Sequence, residues 1–292
     1  MRILILGGSG MLGHKLVQRL SSRFDVFATV RDEGNSLLSR TIIPTNQLLS
    51  NIDVSDDSAV IKAIESTRPK AVINAVGIVK QHHAANDVIT TLTINSILPH
   101  KLSLLGQQFG FRLITISTDC VFAGDRGSYS ESDITDATDL YGRSKNFGEI
   151  TEGNCLTIRS SIIGRELDST QGLIEWLLSN RGGRVKGFAN AIYSGFPTVV
   201  FADIIGGLLF DNPELRGLYH ISSDPIDKFH LLNLANDAFD AQVMIDRDET
   251  LKIDRSLDSS KFRSATGFVP QTWEEMIEIM ANDPTPYDKW RI

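Results

Sequence analysis

The chain has few of the residue types and segments that would place it in a specialised class of protein. Of its 292 residues only two are cysteines, Cys120 and Cys155, which is too few for a disulfide framework or a cysteine-based metal site. No apolar run approaches membrane-spanning length, and the apolar segment that follows Met1 is too short for a signal-peptide core. We therefore expect a globular protein of the reducing cytoplasm.

An excess of basic residues is also missing. The chain has 29 Lys and Arg against 36 Asp and Glu, which gives a formal net charge of −7. Nonspecific binding to nucleic acids or anionic membranes requires a basic surface, so we expect neither partner. An anionic small ligand remains possible, because a local basic cluster can oppose the overall sign. The length allows one large α/β domain, with or without an appended lobe.

A glycine-rich turn lies between the first predicted strand and the first predicted helix. Residues 3–6 are uniformly apolar, as in a strand buried on both faces of a parallel sheet. Glycines at positions 7, 10 and 13 follow, and the apolar residues of 14–20 recur at helical spacing. Such glycines let the backbone approach a pyrophosphate at a helix N-terminus. The sequence therefore predicts a dinucleotide site with backbone contacts from Gly7, Gly10, Met11, Leu12 and Gly13.

Further candidate cofactor contacts follow the next predicted strands. Arg31 comes directly after the strand predicted at 25–30, where an arginine suits the 2′-phosphate of NADP. Asp32 could still bind the ribose of NAD, so NADP is favoured and NAD stays open. Asp53 and Val54 end a third strand predicted at 51–54, with Asp53 placed to meet the adenine edge. The fourth predicted strand, 70–77, ends in small or polar residues suited to cofactor contact, namely Asn74, Ala75 and Val76.

Candidate catalytic residues lie around a predicted strand at 112–117 and the helix that begins at Tyr141. Tyr141 and Lys145 are four residues apart and share one helical face. An ammonium group beside a phenol favours the phenolate, which makes the phenol a proton donor near neutral pH. The hydroxyl of Thr118, at the strand end, can fix the carbonyl that receives the proton. Tyr and Lys at this spacing are also common on solvated helices, so the hypothesis depends on the neighbouring motifs.

The regular alternation of strands and helices predicts a doubly wound parallel α/β sheet, the Rossmann fold, with a smaller C-terminal lobe. We assign residues 1–164 to the dinucleotide-binding domain, to which 197–222 return. Residues 165–196 and 223–292 form the substrate-binding lobe. A basic loop predicted at 180–187 carries Arg184 and Lys186, which could hold a diphosphate or could simply be solvated.

Two other features have structural interpretations. Adjacent histidines, His82 and His83, point apart and have no third ligand at a suitable spacing, so we predict no metal site. A long helix is predicted at 87–109, and the polar Asn95 within it is interpreted as structural.

These motifs together resemble the extended short-chain dehydrogenase/reductase family, and within it the dTDP-4-dehydrorhamnose reductase group. The family motifs are Gly7/Gly10/Gly13, Asp53-Val54, Asn74-Ala75, Thr118 and Tyr141-x-x-x-Lys145. The stretches that resemble the group are residues 117–122, 127–131, 140–149 and 195–198. The resemblance implies NADPH-dependent reduction of a 4-keto nucleotide sugar for deoxysugar or surface-polysaccharide synthesis. It also implies a homodimer through helices 87–109 and 141–153.

The resemblance assigns a role to each matching residue. Tyr141 would protonate the C4 oxygen, Lys145 would lower the pKa of the phenol and bind the nicotinamide ribose, and Thr118 would bind the carbonyl. The other implied contacts are Ser117 to the cofactor, and Asp119, Cys120 and Val121 to the sugar.

Two positions depart from the pattern of the group. Cys120 stands where the group usually has tyrosine, and Tyr193 where it usually has glutamine, so the sugar can differ from dehydrorhamnose. Dehydratase relatives have an acid pair after the threonine, and Cys120 in the second place counts against that activity. The alternatives left open are a nucleotide-sugar epimerase that retains its cofactor and a noncatalytic regulatory subunit on the same fold.

Overall fold

The computed structural model describes residues 1–80 and 84–291 as strands, helices and short connections. Its strands are β1 (Arg2–Leu6), β2 (Asp25–Thr29), β3 (Leu48–Leu49), β4 (Ala71–Asn74), β5 (Arg112–Ser117), β6 (Cys155–Arg159), β7 (Ile162–Ile163), β8 (Arg184–Tyr193), β9 (Phe196–Pro197), β10 (Gly217–His220), β11 (Ile226–Asp227) and β12 (Met244–Asp254). Its α-helices are α1 (Gly13–Leu20), α2 (Asn35–Leu38), α3 (Asp57–Thr67), α4 (Val88–Leu92), α5 (Leu98–Phe109), α6 (Leu140–Phe147), α7 (Leu173–Ser179), α8 (Thr198–Phe210), α9 (Lys228–Ala238), α10 (Ser260–Thr266) and α11 (Trp273–Ala281). None of the helices in these ranges is both long and apolar enough to cross a bilayer.

The main sheet has seven strands in the order β10-β6-β5-β4-β1-β2-β3, and the paired strands run parallel. The predicted doubly wound fold is therefore confirmed. The chain builds outward from β1 in one direction through β2 and β3, and in the other through β4, β5 and β6. Ligands of such sheets bind at the carboxyl ends of the strands where the order reverses, which here is the boundary between β1 and β4.

Alternate residues of β1 belong to two different cores, one on each face of the sheet. Ile3 and Ile5 pack into the larger core, and Leu4 and Leu6 pack into the smaller one. Successive strand side chains point to opposite faces. A strand covered by helices on both faces must therefore be apolar throughout, which explains the uninterrupted run that predicted it.

A separate three-stranded sheet has the order β11-β8-β12 and lies outside the main sheet. Strand β10, in contrast, pairs with β6 at the edge of the main sheet. The prediction of a basic loop at 180–187 is wrong from Arg184 onward, because Arg184 begins the ten-residue strand β8. Buried and exposed residues alternate along β8, a period-2 pattern that its glycine and basic residues had obscured.

Two other predicted elements are placed differently. The third strand is β3, at Leu48–Leu49, and Asn51 beyond it has a φ of 57°. A residue in this left-handed region cannot continue a strand, so Asp53 and Val54 lie in the loop after β3. The helix predicted at 87–109 is interrupted by a π-helical segment, Thr93–Ile97, between α4 and α5.

Candidate active site

A cleft of about 530 Å³ lies at the carboxyl ends of β1 to β4. Among its lining residues are seven of the predicted cofactor contacts, Gly7, Gly10, Arg31, Asp53, Val54, Ala75 and Val76. The other lining residues are Ser9, Thr29, Val30, Ile52, Ser55, Gly77, Ile78, Ile89, Thr90, Thr93 and Ile94. Most of these extend the predicted loops by a residue or two. The last four come from α4 and the π-helical segment that follows it. Only the tertiary packing brings these helical segments to the cleft.

The glycine turn forms the floor of this cleft. Gly7 has a φ of +83°, and a Cβ there would lie 2.8 Å from the Val76 side chain. A Cβ on Gly13 would collide with the carbonyl oxygen of Gly7, so the helix packs as closely as glycine allows. Helix α1 has no side-chain cap at its N-terminus. The His14 N–H donates to the carbonyl oxygen of Gly10, and the amide groups before it are available to an anion such as a diphosphate.

Two charged side chains define the adenosine end of the cleft. Arg31 is exposed two residues after the end of β2. Asp32, the possible ribose ligand, instead accepts a hydrogen bond from the backbone N–H of Gly34 at 2.8 Å. Asp53 accepts hydrogen bonds from the backbone N–H and hydroxyl of Ser55 at 2.8 and 2.7 Å. These bonds lower the pKa of Asp53, so its carboxylate stays ionised at neutral pH.

The remaining predicted cofactor contacts, except for Lys145, lie behind the cleft wall or within the turn. The Asn74 side chain accepts a hydrogen bond from Val76 N–H at 3.2 Å, which shapes the loop after β4. The Ser117 hydroxyl donates to Glu149 Oε1 at 2.6 Å. Leu12 is buried in the larger core. These side chains support the wall, and any contact by Leu12 or Gly13 would come from the backbone, whereas Met11 is half-buried and is not among the residues that line the cleft.

The structure brings Thr118, Tyr141 and Lys145 together although they come from different elements. The Thr118 side chain lies beside the Tyr141 phenol, close enough to affect its pKa. Lys145 Nζ donates to the carbonyl oxygen of Ile116 at 2.6 Å. A methyl group added to Gly77, in the cleft wall, would lie 3.9 Å from Lys145 Nζ. The three groups therefore converge at the edge of the predicted cofactor cleft.

Burial controls the ionisation of this group. It raises the pKa of the Tyr141 phenol, as do the nearby Cys120 and Asp119, while the Thr118 side chain opposes them. Burial lowers the pKa of Lys145 to about 8. The net direction at Tyr141 is opposite to the lowering expected from Lys145, because desolvation disfavours the phenolate. A phenol that keeps its proton is nevertheless suited to proton donation.

Asn95 is a further residue of the site, which sequence reasoning interpreted only as structural. It lies in the π-helical segment, and its amide group bonds both the N–H and the carbonyl of Ile78 at 2.9 Å. It also donates to the Ser144 hydroxyl at 3.1 Å. Asn95 thus joins the loop after β4 to the catalytic helix α6. π-Helical turns are frequent at functional sites, and a polar residue in an apolar helix was the available signal.

The predicted sugar contacts have different environments. Asp119 accepts a hydrogen bond from the Thr118 hydroxyl at 3.1 Å, so it lies beside the catalytic group. The Cys120 thiol is half-buried, and burial raises its pKa to about 11, which leaves it uncharged. The Val121 side chain is completely buried in a small apolar cluster with Phe122. Any contact of Val121 with the sugar would therefore come from its backbone.

Arg184 and Lys186 lie on the exposed face of β8. Arg184 pairs with Asp246 at 2.6 Å and Lys186 with Asp248 at 3.0 Å. Tyr193, at the other end of the strand, lies near Asp119, whose charge contributes to raising the pKa of the Tyr193 phenol. At about 3.3 Å per residue, Arg184 is roughly 30 Å from that end. The structure does not bring these cations to the catalytic group.

The paired His82 and His83 lie outside the described residues. Within residues 1–80 and 84–291, no group of three or more His, Cys, Asp or Glu side chains is arranged to hold a metal ion.

Several curated proteins and solved structures are similar to this chain. The dTDP-4-dehydrorhamnose reductase of Aggregatibacter actinomycetemcomitans is 23% identical over 305 residues, which cover 95% of this chain and 97% of that protein. The probable dTDP-4,6-dihydroxy-2-methyloxan-3-one 4-ketoreductase of Streptomyces antibioticus is 32% identical, over 51% of this chain and 45% of that protein. The structure of a hypothetical dTDP-4-dehydrorhamnose reductase from Sulfolobus tokodaii aligns with a TM-score of 0.77 and 25% identity, over 94% of this chain and 98% of that one.

A second structure, dTDP-4-dehydrorhamnose reductase from Bacillus anthracis in complex with NADP, aligns with a TM-score of 0.77 and 21% identity, over 96% of this chain and 98% of that one. It supports the fold. The family model described as RmlD substrate binding domain matches residues 1–285, nearly the whole chain. These findings confirm the resemblance predicted from the motifs. The chain belongs to the RmlD substrate-binding domain family.

Proposed function

We propose that this protein is an NADPH-dependent oxidoreductase that reduces the 4-keto group of a nucleotide-linked 6-deoxy sugar. The observation that carries the proposal is the convergence of Thr118, Tyr141 and Lys145 at the edge of a glycine-floored cleft. The relatives named as dTDP-4-dehydrorhamnose reductases support the same reaction class.

The residues of the cleft fit NADPH. The uncapped N-terminus of α1 suits the diphosphate, and the exposed Arg31 suits the 2′-phosphate. Asp32, which would favour the ribose of NAD, is not among the residues that line the cleft, and one of its carboxylate oxygens accepts the Gly34 N–H. Gly77 leaves space beside Lys145 and Asn95, whose side chains lie within 4 Å of any added Cβ. This space suits the nicotinamide ribose.

The mechanism divides the work between cofactor and protein. Bound NADPH would supply hydride to the carbonyl carbon of the sugar. Tyr141 holds its proton at the buried phenol oxygen and donates it to the carbonyl oxygen. The Thr118 hydroxyl orients that oxygen, and the positive charge of Lys145 stabilises the phenolate that remains. Asp119, beside Thr118, orients the sugar.

We also propose that the protein is a homodimer of the cytoplasm. Three apolar side chains are exposed here: Ile97 in the π-helical segment, Leu104 on α5 and Phe147 on α6. Their exposure supports a homodimer through these helices. The cysteines, Cys120 and Cys155, are free thiols, as in proteins of the cytoplasm. Residues 165–196 and 223–292 would form the substrate-binding lobe.

A nucleotide-sugar epimerase is the second candidate, because it would use the same three groups. The two activities differ in what happens to the cofactor. A reductase consumes added NADPH, whereas an epimerase is purified with bound cofactor and turns over without any addition.

The test follows NADPH absorbance with purified protein and a panel of 4-keto nucleotide sugars. We expect reduction of at least one sugar by wild type and a loss of at least a hundredfold in kcat for Tyr141→Phe, since general-acid catalysis contributes about that factor. Tyr219→Phe, a tyrosine on β10, is the control and should keep wild-type kcat. If no sugar is reduced, or if Tyr141→Phe is as active as wild type, the proposed reaction is wrong.

A further inference from the structure

Residues 283–288, which we call the strap, pack against the first turn of helix α1. Lys15 Nζ donates to Asp283 Oδ1 at 2.7 Å and to the Thr285 hydroxyl at 2.8 Å. The Lys15 and Asp283 side chains are only 4% and 7% exposed. The Tyr287 ring lies between two cations, 5.0 Å from Lys15 Nζ and 4.8 Å from the Arg165 guanidinium. Buried charges therefore hold the strap against the helix that follows the glycine turn.

One side chain joins the strap to the turn itself. His14 is fully buried, with Nδ1 2.8 Å from the carbonyl oxygen of Gly10 and Nε2 2.7 Å from the Tyr287 hydroxyl. A carbonyl oxygen only accepts hydrogen bonds, so Nδ1 carries the proton and donates to Gly10. Nε2 then has a lone pair and accepts from Tyr287. Burial lowers the pKa of His14 to about 4, so the ring stays neutral and keeps this tautomer.

The Gly10 carbonyl matters because its peptide group faces the cofactor cleft. Gly10 lines the cleft, and its carbonyl oxygen also accepts the His14 backbone N–H at 3.1 Å. In a planar trans peptide the C=O of one residue and the N–H of the next point in opposite directions. Fixing the Gly10 carbonyl toward His14 therefore directs the Met11 N–H toward the space before the helix, where an anion binds.

We propose that Tyr287 is a positioning residue for the cofactor. Through His14 it holds the Gly10 peptide in the orientation that receives the diphosphate of NADPH. This inference rests on the proposed function, because it requires that the cleft binds NADPH. It assigns residues 283–288, distant in sequence from the glycine turn, a role in cofactor affinity.

The experiment measures the Kd of NADPH by fluorescence titration of the free enzyme, with the Tm measured in parallel. Tyr287→Phe removes the hydroxyl and leaves the ring between its two cations. We expect the Kd to rise about fivefold, the loss of one hydrogen bond, with kcat at saturating NADPH and the KM for the sugar unchanged. In a His14→Leu background, adding Tyr287→Phe should raise the Kd no further, because the connection is already broken.

Gln18→Leu is the matched control, since it removes an amide oxygen that accepts hydrogen bonds from Lys15 and Thr285 rather than from Tyr287 or the turn. It should lower the Tm and leave the Kd unchanged. A Tyr287→Phe variant with a lower Tm and wild-type Kd would overturn the inference. Should Tyr287→Phe fail to fold, His14→Gln against His14→Leu decides, because only glutamine can both donate to Gly10 and accept from Tyr287. Equal Kd values in that pair would also overturn it. Absence of NADPH binding in wild type would instead refute the proposed function, and the inference with it.

Discussion

The ammonium group of Lys145 donates a hydrogen bond to the backbone carbonyl oxygen of Ile116, with a distance of 2.6 Å between Nζ and O. This bond ties the catalytic helix α6 to strand β5, just before the strand end that carries Thr118. Lys145 is thus positioned by the sheet before any ligand arrives, and its charge lies in a buried environment that weakens its hold on the proton.

The activity should decline at alkaline pH as Lys145 loses its proton. Its pKa is lowered from 10.5 to about 8, so the charged form is present below that pH and disappears as the pH rises through it. We expect kcat/KM, which reports the free enzyme, to fall above pH 8. Lys145→Arg, which keeps its charge to much higher pH, should move this decline upward. The same alkaline midpoint in both proteins would show that another group controls it.

The preference for NADPH over NADH should depend on Arg31. Arg31→Ala removes the cation expected at the 2′-phosphate, and a hydrogen bond to a charged group contributes about 1.5 kcal/mol or more. We expect the KM for NADPH to rise roughly tenfold or more and that for NADH to change little. Arg23→Ala, which removes another arginine from above the Phe210 ring, is the control. Equal effects of Arg31→Ala on the two cofactors would refute the assignment.

Asn95 should contribute to both stability and turnover. Asn95→Leu keeps the approximate volume and leaves the buried N–H and carbonyl of Ile78 without partners. Unsatisfied buried groups cost about 1–3 kcal/mol each, so we expect the free energy of unfolding to fall by about 3 kcal/mol, with a lower kcat. Urea unfolding and steady-state kinetics test this. Ser96→Ala, which loses only the bond to Ser144 O, should cost about 1 kcal/mol. A stable and fully active Asn95→Leu variant would contradict the role.

The buried pair of Glu149 and Arg159 should be essential for stability. The two side chains form two hydrogen bonds of 2.7 Å and are 7% and 5% exposed. Removing one partner of a buried pair typically costs about 3–5 kcal/mol, because the other charge is left uncompensated. We expect that loss for Glu149→Gln in urea unfolding. The double variant Glu149→Gln with Arg159→Met should recover part of it, and no recovery would argue against the pair.

Neutralising Arg184 and Lys186 should leave substrate affinity unchanged. Both side chains pair with carboxylates of β12 and lie far along β8 from the catalytic group. Isothermal titration of the double variant Arg184→Ala/Lys186→Ala with a nucleotide sugar tests this. Markedly weaker binding would instead support the hypothesis that Arg184 and Lys186 hold the diphosphate.

The fold was predictable because its signals are local. Apolar runs such as residues 3–6 are required by strands buried on both faces, and Gly7, Gly10 and Gly13 are required by a turn without space for Cβ atoms. The prediction was wrong at 184–187 and 51–54. In the first, pairing with β12 decided the structure; in the second, the left-handed backbone at Asn51 ended the strand early.

The candidate site was predictable only in part. Tyr141 and Lys145 are close in sequence, and their helix aligns them, so their spacing was informative. The hydrogen bonds of Asn95 to Ile78 and Ser144, and those of His14 to Gly10 and Tyr287, join segments that no sequence pattern connects. Their geometry follows from how the helices pack on the sheet.

The sequence by itself determined the alternation of strands and helices, the glycine turn and the identity of the candidate catalytic side chains, because each depends on neighbouring residues. Only the tertiary structure decided the ionisation of those side chains, the separation of Arg184 from the catalytic group and the contact of residues 283–288 with helix α1. Burial and distance are properties of the packed chain, and they arise from residues that can be hundreds of positions apart.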